Sequence, residues 1–400
     1  MEQTQRGNRL HIGFYGKTNA GKSTLINKIT NQEVSVVSEQ KGTTTDVVYK
    51  PMELLPVGPV VFMDTAGLDD NTKLGEKRID KTLKTLDKTD VAVIICDGSG
   101  FTDEEKNLIK ILNEKNTPFM VIINKNDINK IEDSKLDEIK KYTQNIICTG
   151  FSDKNITQKF KDELIKILPE DFIENKTITG NLVKEKDTVI LVVPIDKEAP
   201  KGRLILPQVQ MIRELLDKNA KAIVVKETEL NEIIENLKSP PRLVITDSQA
   251  FKKVSEIVPE NIELTSFSVL LANFKGDINI FKSGAQKLDE LKENDKILFL
   301  ESCTHHAIED DIARVKIPKL IEKKTGKKFI YEYHSGCSIP DNIEKYSLLI
   351  HCGACMTNKK EVISRINYAQ KLNIPITNYG IIIAHCLGIL QRAVKPLESV

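Results

Sequence analysis

Residues 10–23 decide the fold of the first part of this 400-residue chain, and they read LHIGFYGKTNAGKS. From Gly16 onward they fit the pattern G-x-x-x-x-G-K-[ST], in which glycines let the backbone turn so that successive N–H groups face phosphate oxygens. An apolar run precedes the pattern and an amphipathic run follows it, which predicts a strand, a phosphate-binding loop and a helix N-terminus. The motif indicates a nucleoside triphosphate bound through Lys22, with the Ser23 hydroxyl on Mg²⁺.

Two later motifs complete the predicted nucleotide site, and the second of them identifies the base. Asp64-Thr65-Ala66-Gly67 ends an apolar run, where a carboxylate can hold Mg²⁺ through water and the Gly67 N–H can contact a γ-phosphate. Asn124-Lys125-Asn126-Asp127 ends another apolar run. The Asp127 carboxylate can accept two hydrogen bonds from the N1–H and N2–H₂ edge of guanine, which adenine lacks. The three motifs in this order predict a site for GTP.

Short apolar runs alternate with amphipathic stretches along the chain, which predicts an α/β fold. In the first part several runs are apolar at consecutive positions, as in a mainly parallel sheet covered on both faces. The predicted strands there are residues 10–15, 60–64, 91–97, 119–124 and 145–149. The predicted helices are residues 21–30, 75–87 and 103–115.

Changes in composition divide the chain into three predicted α/β domains. The first, residues 1–170, is the P-loop GTPase domain, and the charged residues 171–186 are the predicted linker. Residues 187–262 and 263–400 each carry a further series of strands and helices. The later predicted strands are residues 188–193, 222–226, 242–246, 296–301, 328–333, 347–351 and 374–377.

Charge and composition argue against several classes of function. Lys and Arg (58) nearly balance Asp and Glu (57), and aromatic residues make up 5% of the chain, so we expect no nucleic-acid partner. The polar N-terminus does not resemble a signal peptide, and the most apolar stretch, residues 380–390, is too short to span a bilayer. We therefore expect a cytoplasmic protein without a membrane partner. In that reducing compartment cysteines are thiols, metal ligands or core residues, and Cys96 and Cys148 are expected in the core.

Cysteine and histidine concentrate near the end of the chain. Five of the seven Cys and five of the six His lie between Cys303 and Cys386, and they include C-x-H at residues 303–305 and H-C-x-x-C at residues 351–355. Because α/β folds gather ligands at the carboxyl ends of strands, three thiols can converge on one metal. Three kinds of site remain open: a zinc site, an iron–sulfur cluster with three thiolates and a fourth ligand that is not Cys, and a redox dithiol at Cys352 and Cys355.

The nucleotide motifs resemble those of the translation-factor-like GTPases, in particular the Era and MnmE branch. The resemblance implies GTP hydrolysis, with residues 42–46 (GTTTD) at the switch I position and Thr44 as a Mg²⁺ ligand. Asn19 matches a residue that holds K⁺ in potassium-stimulated relatives, or it is a loop-capping amide. Glu76 falls where that branch carries a water-orienting Glu, or it is a solvent-exposed charge. Leu68 stands where Ras-like enzymes carry the Gln that orients water, so we expect slow hydrolysis.

The motifs and this resemblance together imply a set of site residues. The base-recognition loop departs from the relatives, because it reads Cys148-Thr149-Gly150 where they end in Ser-Ala. The implied catalytic residues are Lys22, Thr44, Gly67 and Glu76. The implied GTP-binding residues are Gly16, Asn19, Ala20, Gly21, Lys22, Ser23, Thr24, Asp64, Asn124, Lys125 and Asp127, with Ser23 and Thr44 on Mg²⁺.

The whole arrangement resembles the HydF family of [FeFe]-hydrogenase maturation GTPases, which combine an Era-like GTPase with C-x-H and H-C-x-x-C. The resemblance implies a scaffold that receives a diiron precursor from radical-SAM maturases and delivers it to apo-[FeFe]-hydrogenase. It implies a homodimer formed by the middle domain and a C-terminal domain that holds a [4Fe-4S] cluster. The implied cluster ligands are Cys303, Cys352 and Cys355, with His305 and His351 as candidate ligands or as hydrogen-bond donors beside the thiolates.

Two other functions remain as alternatives to this scaffold. One is a tRNA- or ribosome-associated GTPase with a C-terminal zinc module, which the balanced charge disfavours. The other is an iron–sulfur enzyme with its own substrate, for which the sequence carries no C-x₃-C-x₂-C radical motif.

Overall fold

The computed structural model divides the chain into two compact units, Met1–Asn175 and Lys176–Val400. It describes residues 7, 9–30, 47–69, 82–150, 152–169, 172, 177–195, 202, 204–302, 311–336, 339–340, 342–355 and 357–398.

The first unit is built on a six-stranded sheet of order β2-β3-β1-β4-β5-β6. All neighbouring strands are parallel except β2, which runs antiparallel to β3 at the edge. The strands are β1 Leu10–Gly16, β2 Val48–Leu54, β3 Gly58–Asp64, β4 Val91–Cys96, β5 Phe119–Ile123 and β6 Ile146–Cys148. The helices are α1 Lys22–Thr30, α2 Asp103–Glu114, α3 Asp133–Lys140 and α4 Ile156–Ile167, with a 3₁₀ turn at Leu86–Lys88.

Continuous apolar runs form the centre of this sheet because helices cover both of its faces. Every residue of β1, β4 and β5 is buried. On one face the rings of Phe14, Phe62 and Phe160 contact one another, with centroids 5.1 to 6.1 Å apart. This packing fixes the carboxyl end of β1, from which the phosphate loop departs.

The second unit contains two four-stranded parallel sheets, of order β10-β9-β7-β8 and β12-β11-β13-β14. Their strands are β7 Thr188–Val192, β8 Lys221–Val225, β9 Leu243–Thr246, β10 Glu263–Ser266, β11 Lys296–Glu301, β12 Ile330–Ser335, β13 Leu348–His351 and β14 Ile376–Asn378. One apolar core includes residues of both sheets, among them Ile190, Val244, Phe299 and Leu349.

Nine helices flank these sheets in the described part of the second unit. They are α5 Leu206–Asp217, α6 Leu230–Asn236, α7 Phe251–Ile257, α8 Phe267–Lys275, α9 Ile278–Gln286, α10 Ile317–Thr325, α11 Lys359–Lys371, α12 Tyr379–Cys386 and α13 Leu390–Glu398. Shorter turns lie at Lys287–Glu290, Ile312–Lys316 and Ile343–Lys345. No helix in the described residues is long and apolar enough to cross a membrane.

The α/β fold with a mainly parallel sheet in its first part is confirmed, and two strands add to the prediction. β2 was not predicted because it carries Lys50, Pro51 and Glu53 along an exposed edge. β10 has four residues and lies just past the predicted boundary at residue 262, where it pairs with β9. Within the predicted linker, apolar Ile178, Leu182 and Val183 are buried in a core with β7. The division into domains at the stated boundaries stays a prediction.

Candidate functional site

The phosphate loop adopts a backbone that requires glycine at two of its positions. Gly16 has φ +145° and Gly21 has φ +96°, values that side chains disfavour. A Cβ at Gly16 would collide with the carbonyl of Ile95, and one at Gly21 would collide with the amide of Asn124. The loop therefore follows β1 and opens α1 in the geometry that the motif predicts.

Lys22 lies inside this loop. Its ammonium donates to the carbonyls of Gly16 (2.9 Å) and Lys17 (2.7 Å), and 8% of the residue is exposed. Burial lowers the pKa of Lys22 to about 8, an effect that the nearby Asp64 carboxylate opposes. A buried cation held by neutral carbonyls is a strong partner for phosphate oxygens, because little water screens it.

Ser23 and Asp64 form the predicted Mg²⁺ position. The Ser23 hydroxyl donates to Oδ2 of Asp64 at 2.6 Å. Oδ1 of Asp64 is buried and has no hydrogen-bond partner among the described residues. Burial raises the pKa of Asp64, while Ser23 and Lys22 lower it. The Ser23 hydroxyl and the unpaired Oδ1 of Asp64 are oxygen ligands of the kind that a hard cation such as Mg²⁺ prefers.

The segment after β3 lies directly on the phosphate loop. A Cβ at Gly67 would stand 2.6 Å from the Thr18 nitrogen, and the Leu68 N–H donates to the Gly16 carbonyl at 3.3 Å. Asp69, which the sequence analysis did not single out, accepts the Thr18 N–H at 2.6 Å. Gly67 thus lies directly against the phosphate loop, and its contact with a γ-phosphate stays a prediction.

The base-recognition motif joins the phosphate loop through two side chains. The Asn124 amide donates to the Ala20 carbonyl at 2.9 Å, and the Lys125 ammonium donates to the Asn19 carbonyl at 2.7 Å. Asp127 lies against Gly150, where a Cβ would stand 2.6 Å from its Oδ2. The glycine that departs from the relatives therefore leaves room for the Asp127 carboxylate.

A cavity of about 250 Å³ opens between the loop after β5 and the loop after β6, and Asp127, Cys148, Thr149 and Gly150 contribute to its lining. Cys148 is exposed, so the expectation of a core residue is wrong there, because β6 is a short edge strand. Cys96 is buried, as expected. Asn19 and Thr24 lie at the surface, whereas Thr44 and Glu76 lie outside the described residues.

The second candidate site lies at the carboxyl ends of β11 and β13. Leu300 pairs with His351 in register, and the Cys352 N–H donates to the Leu300 carbonyl at 2.9 Å. The Ser302 N–H points to Sγ of Cys352 at 3.4 Å. Cys303 and His305 lie outside the described residues, but Ser302, the residue before Cys303, thus touches the Cys352 thiol.

Lys275, at the end of α8, holds the loop of Cys352 and Cys355. Its ammonium donates to the carbonyls of Ala354 (2.8 Å) and Thr357 (2.9 Å), and 2% of the residue is exposed. Burial lowers its pKa to about 8, and the two cysteines oppose that shift. Lys275 was not predicted from the sequence, and the one signal for it is a Lys at the end of a helix that is mostly apolar.

His351 is buried with both ring nitrogens in use. Its Nδ1 donates to the Cys352 carbonyl at 2.7 Å, and its Nε2 accepts from Arg365 at 2.8 Å. Burial and the Arg365 charge lower its pKa to about 3, so the ring is neutral. In this arrangement neither nitrogen is free for a metal, and the ring supports the Cys352 loop from behind.

The described residues contain no group of three or more side chains that could hold a metal ion. Two predicted members of the ligand set, Cys352 and Cys355, share one loop, and the third belongs to residues 303–310, beyond the described part. The ligand set therefore stays a prediction.

Three family models match successive parts of the chain. Residues 11–125 match the model described as 50S ribosome-binding GTPase. Residues 178–276 match the hydrogen maturase F dimerization domain, and residues 279–396 match the hydrogen maturase F tetramerization domain. The last two together cover more than half of the chain. The first part of the chain is a GTPase domain, and the prediction of a GTPase that binds GTP and Mg²⁺ is confirmed.

Individual proteins resemble parts of the chain. The tRNA modification GTPase MnmE of Prochlorococcus marinus (strain NATL1A) is 37% identical over 135 residues, which are 33% of this chain and 28% of that protein. GTPase Der of Campylobacter hominis is 26% identical over 263 residues, which are 62% of this chain and 56% of that protein. A crystal structure of Aquifex aeolicus Era bound to GDP.AlF4- has a TM-score of 0.36 and 19% identity, covering 62% of this chain and 97% of that one.

Proposed function

The chain belongs to the hydrogen maturase F family of GTPases, and on that premise we propose that it is a scaffold for metal clusters. It holds a [4Fe-4S] cluster together with a diiron precursor and delivers the precursor to apo-[FeFe]-hydrogenase. The observation that carries this proposal is the contact between Ser302 and the Cys352 sulfur at 3.4 Å. It supports the proposal because Ser302, the residue before Cys303, meets the first cysteine of H-C-x-x-C at one edge of one sheet.

The proposed cluster ligands are Cys303, Cys352 and Cys355. The donor chemistry fits, because thiolates are the usual ligands of iron–sulfur clusters. The surroundings fit as well, since Lys275 places a buried positive charge near two of the three sulfurs. When bound, the cluster would be held by one thiolate on each of three irons, and its fourth iron, which has no thiolate, would offer a position where another iron fragment can attach. His351 supports the site by orienting the Cys352 loop, and His305 remains a candidate for the fourth position.

At the nucleotide site of the GTPase domain, the proposed roles follow from the contacts of the phosphate loop. Lys22 and the loop N–H groups bind the phosphates, Ser23, Thr44 and Asp64 hold Mg²⁺ directly or through water, and Asp127 selects guanine. We further propose that Asn19 holds K⁺. Leu68 stands where Ras-like enzymes carry the Gln that orients the attacking water, so we propose that Glu76 orients this water instead. Exchanging KCl for NaCl at equal ionic strength should then slow GTP hydrolysis, and equal rates would remove the Asn19 role.

The proposed assembly follows the names of the matching family models. They describe a dimerization domain over residues 178–276 and a tetramerization domain over residues 279–396. In the first of these ranges β8 is an edge strand, and its Val224 is exposed. A homodimer would cover this edge, and radical-SAM maturases and apo-hydrogenase are the proposed visiting partners.

Anaerobic analysis of iron and acid-labile sulfide in the purified full-length protein tests the proposal. We expect close to four iron and four sulfide per chain after reconstitution, in keeping with a [4Fe-4S] cluster. The competing function, a tRNA- or ribosome-associated GTPase with a zinc module, predicts one zinc and no sulfide. That result would overturn the scaffold while leaving the GTPase in place.

A further inference from the structure

A carboxylate of this chain lies on its own phosphate loop. Asp69, which follows β3, accepts the N–H of Thr18 at 2.6 Å. Thr18 is the third residue of the phosphate-loop motif, whose successive N–H groups face phosphate oxygens in proteins of this kind. An anionic oxygen of the protein therefore binds a part of the loop that is built to bind anionic oxygens of a nucleotide.

This contact lies beside Gly67, the residue expected to meet the γ-phosphate. A Cβ at Gly67 would stand 2.6 Å from the Thr18 nitrogen and 2.9 Å from Oδ1 of Asp69. The next N–H, that of Leu68, donates to the Gly16 carbonyl at 3.3 Å. Asp69 thus occupies the side of the loop on which the γ-phosphate is expected.

The charge of Asp69 also acts on the cation of the loop. Burial lowers the pKa of Lys22 to about 8, and the carboxylates of Asp64 and Asp69 both oppose that shift. The one hydrogen bond that Asp69 makes among the described residues is the one to Thr18. A γ-phosphate brought to this side of the loop would meet a second anion a few ångströms away, and like charges at such distances repel strongly.

We propose that Asp69 is a specificity-determining residue of the nucleotide site: its carboxylate competes with the γ-phosphate for the Thr18 side of the loop and so lowers the affinity for GTP relative to GDP. GDP brings no phosphate to this side, so it leaves the Asp69 contact intact. GTP displaces the carboxylate and breaks the bond that joins the segment after β3 to the loop. This inference rests on the GTP site and on the γ-phosphate contact proposed for Gly67, and it does not depend on the metal cluster.

Two substitutions separate the charge of Asp69 from its hydrogen bond. Asp69→Asn keeps an oxygen that can accept the Thr18 N–H but removes the charge, whereas Asp69→Ala removes both. In each variant the affinity for a GTP analogue should rise about tenfold, the size of the effect of one charge-assisted hydrogen bond. The affinity for GDP should stay within about twofold, because GDP does not compete with the carboxylate.

Fluorescence titration of the full-length protein, freed of nucleotide and in excess Mg²⁺, measures both affinities. The probes are N-methylanthraniloyl derivatives of GDP and of the β,γ-imido analogue of GTP, which is not hydrolysed. The readout is the ratio of the two Kd values, which a general weakening of the loop would not change. The kcat of GTP hydrolysis should stay within about twofold, because Asp69 has already left the loop when GTP is bound.

Asp97→Asn is the matched control. Asp97 follows the neighbouring strand β4 and is half-buried, as Asp69 is, and its charge interacts with that of Lys17 in the same loop. Its Oδ1, however, accepts the N–H of Ser99 at 2.9 Å and the Ser99 hydroxyl, and no N–H of the phosphate loop. The control removes a negative charge near the loop without removing a competitor, so the Kd ratio should not change.

Each outcome decides for or against the role of Asp69. A Kd ratio that is unchanged in both Asp69 variants, or equal tightening of GDP and the GTP analogue, overturns it. A fall in kcat with an unchanged ratio also overturns it, since Asp69 would then act on the attacking water. If Asp69→Ala does not fold, Asp69→Asn alone decides. Equal affinities of the unaltered protein and of Lys22→Ala for both nucleotides would instead remove the nucleotide site itself, and the inference with it.

Discussion

At Asp127 and Gly150 two loops of the GTPase unit touch, and the contact explains a departure seen in the sequence. The resemblance described above implies Ser-Ala at this loop, whereas here Gly150 faces the Asp127 carboxylate at a distance that excludes a Cβ. At the proposed guanine site, the base contact would depend on one carboxylate and on the absence of a Cβ at residue 150. Changes at either residue should act on nucleotide selection before they act on hydrolysis.

Asp127→Asn should lower kcat/KM for GTP, because loss of a charge-assisted pair with the guanine edge costs about 2–4 kcal/mol. Preference should move toward xanthosine triphosphate, whose C2 oxygen can accept from the new amide. Steady-state rates with the two nucleotides measure the change. Asp153→Asn is the matched control, because Asp153 lines the same cavity but pairs with Lys159 at 2.8 Å. Equal hydrolysis of ATP and GTP by the unaltered protein would contradict the assignment.

Alkylation at pH 8 should distinguish two thiols of the same unit. Cys148 is exposed in the lining of the base-side cavity, so it should react with iodoacetamide, and GDP should protect it. Burial raises the pKa of Cys96 to about 12, so only a small fraction of this thiol is ionised at pH 8. The rate of alkylation at Cys96 should increase only as the pH approaches that pKa. Peptide mass spectrometry measures both sites. Modification of Cys96 ahead of Cys148, or no protection by GDP, would contradict the cavity assignment.

Among the elements, those with a local pattern were predictable and those that depend on distant partners were not. β1, the phosphate loop and α1 follow from contiguous residues. Arg365 was missed because its acceptors lie 14, 29 and 63 residues away. The signal that could have found it is its position among Val362, Ile366 and Ala369, on the buried stripe of α11. A charge on such a stripe needs buried partners, but the sequence does not say which.

α8 provides a prediction at the same scale, because its last residue fixes the loop of Cys352 and Cys355. Lys275→Met should leave the Ala354 and Thr357 carbonyls without their donor, at a cost of about 1–3 kcal/mol. In the proposed cluster site, loss of this positive charge should also move the reduction potential of the cluster to more negative values. A redox titration monitored by EPR measures this reduction potential. Lys282→Met, on neighbouring α9, removes a surface ion pair and should leave the potential unchanged. An unshifted potential in Lys275→Met would contradict this role.

At the scale of the whole molecule, the two compact units have separate apolar cores. Units with their own cores tolerate local changes independently. Cys352→Ser should therefore abolish the broad visible absorption of the cluster and leave the rate of GTP hydrolysis within about twofold. The same preparation, reconstituted anaerobically, supplies both measurements. A loss of GTP hydrolysis in proportion to the lost iron would show that the two sites do not act independently.

The place of Arg365 in the chain has a consequence for synthesis. The ribosome makes the chain from its N-terminus, and domains fold largely in that order. The acceptors of Arg365, at residues 302, 336 and 351, all precede it in the sequence, so they cannot contact it until α11 has emerged. The GTPase unit is complete long before that point. The contacts that Arg365 makes with Ser302, Gly336 and His351 can therefore form only late in synthesis, after the GTPase unit has left the ribosome.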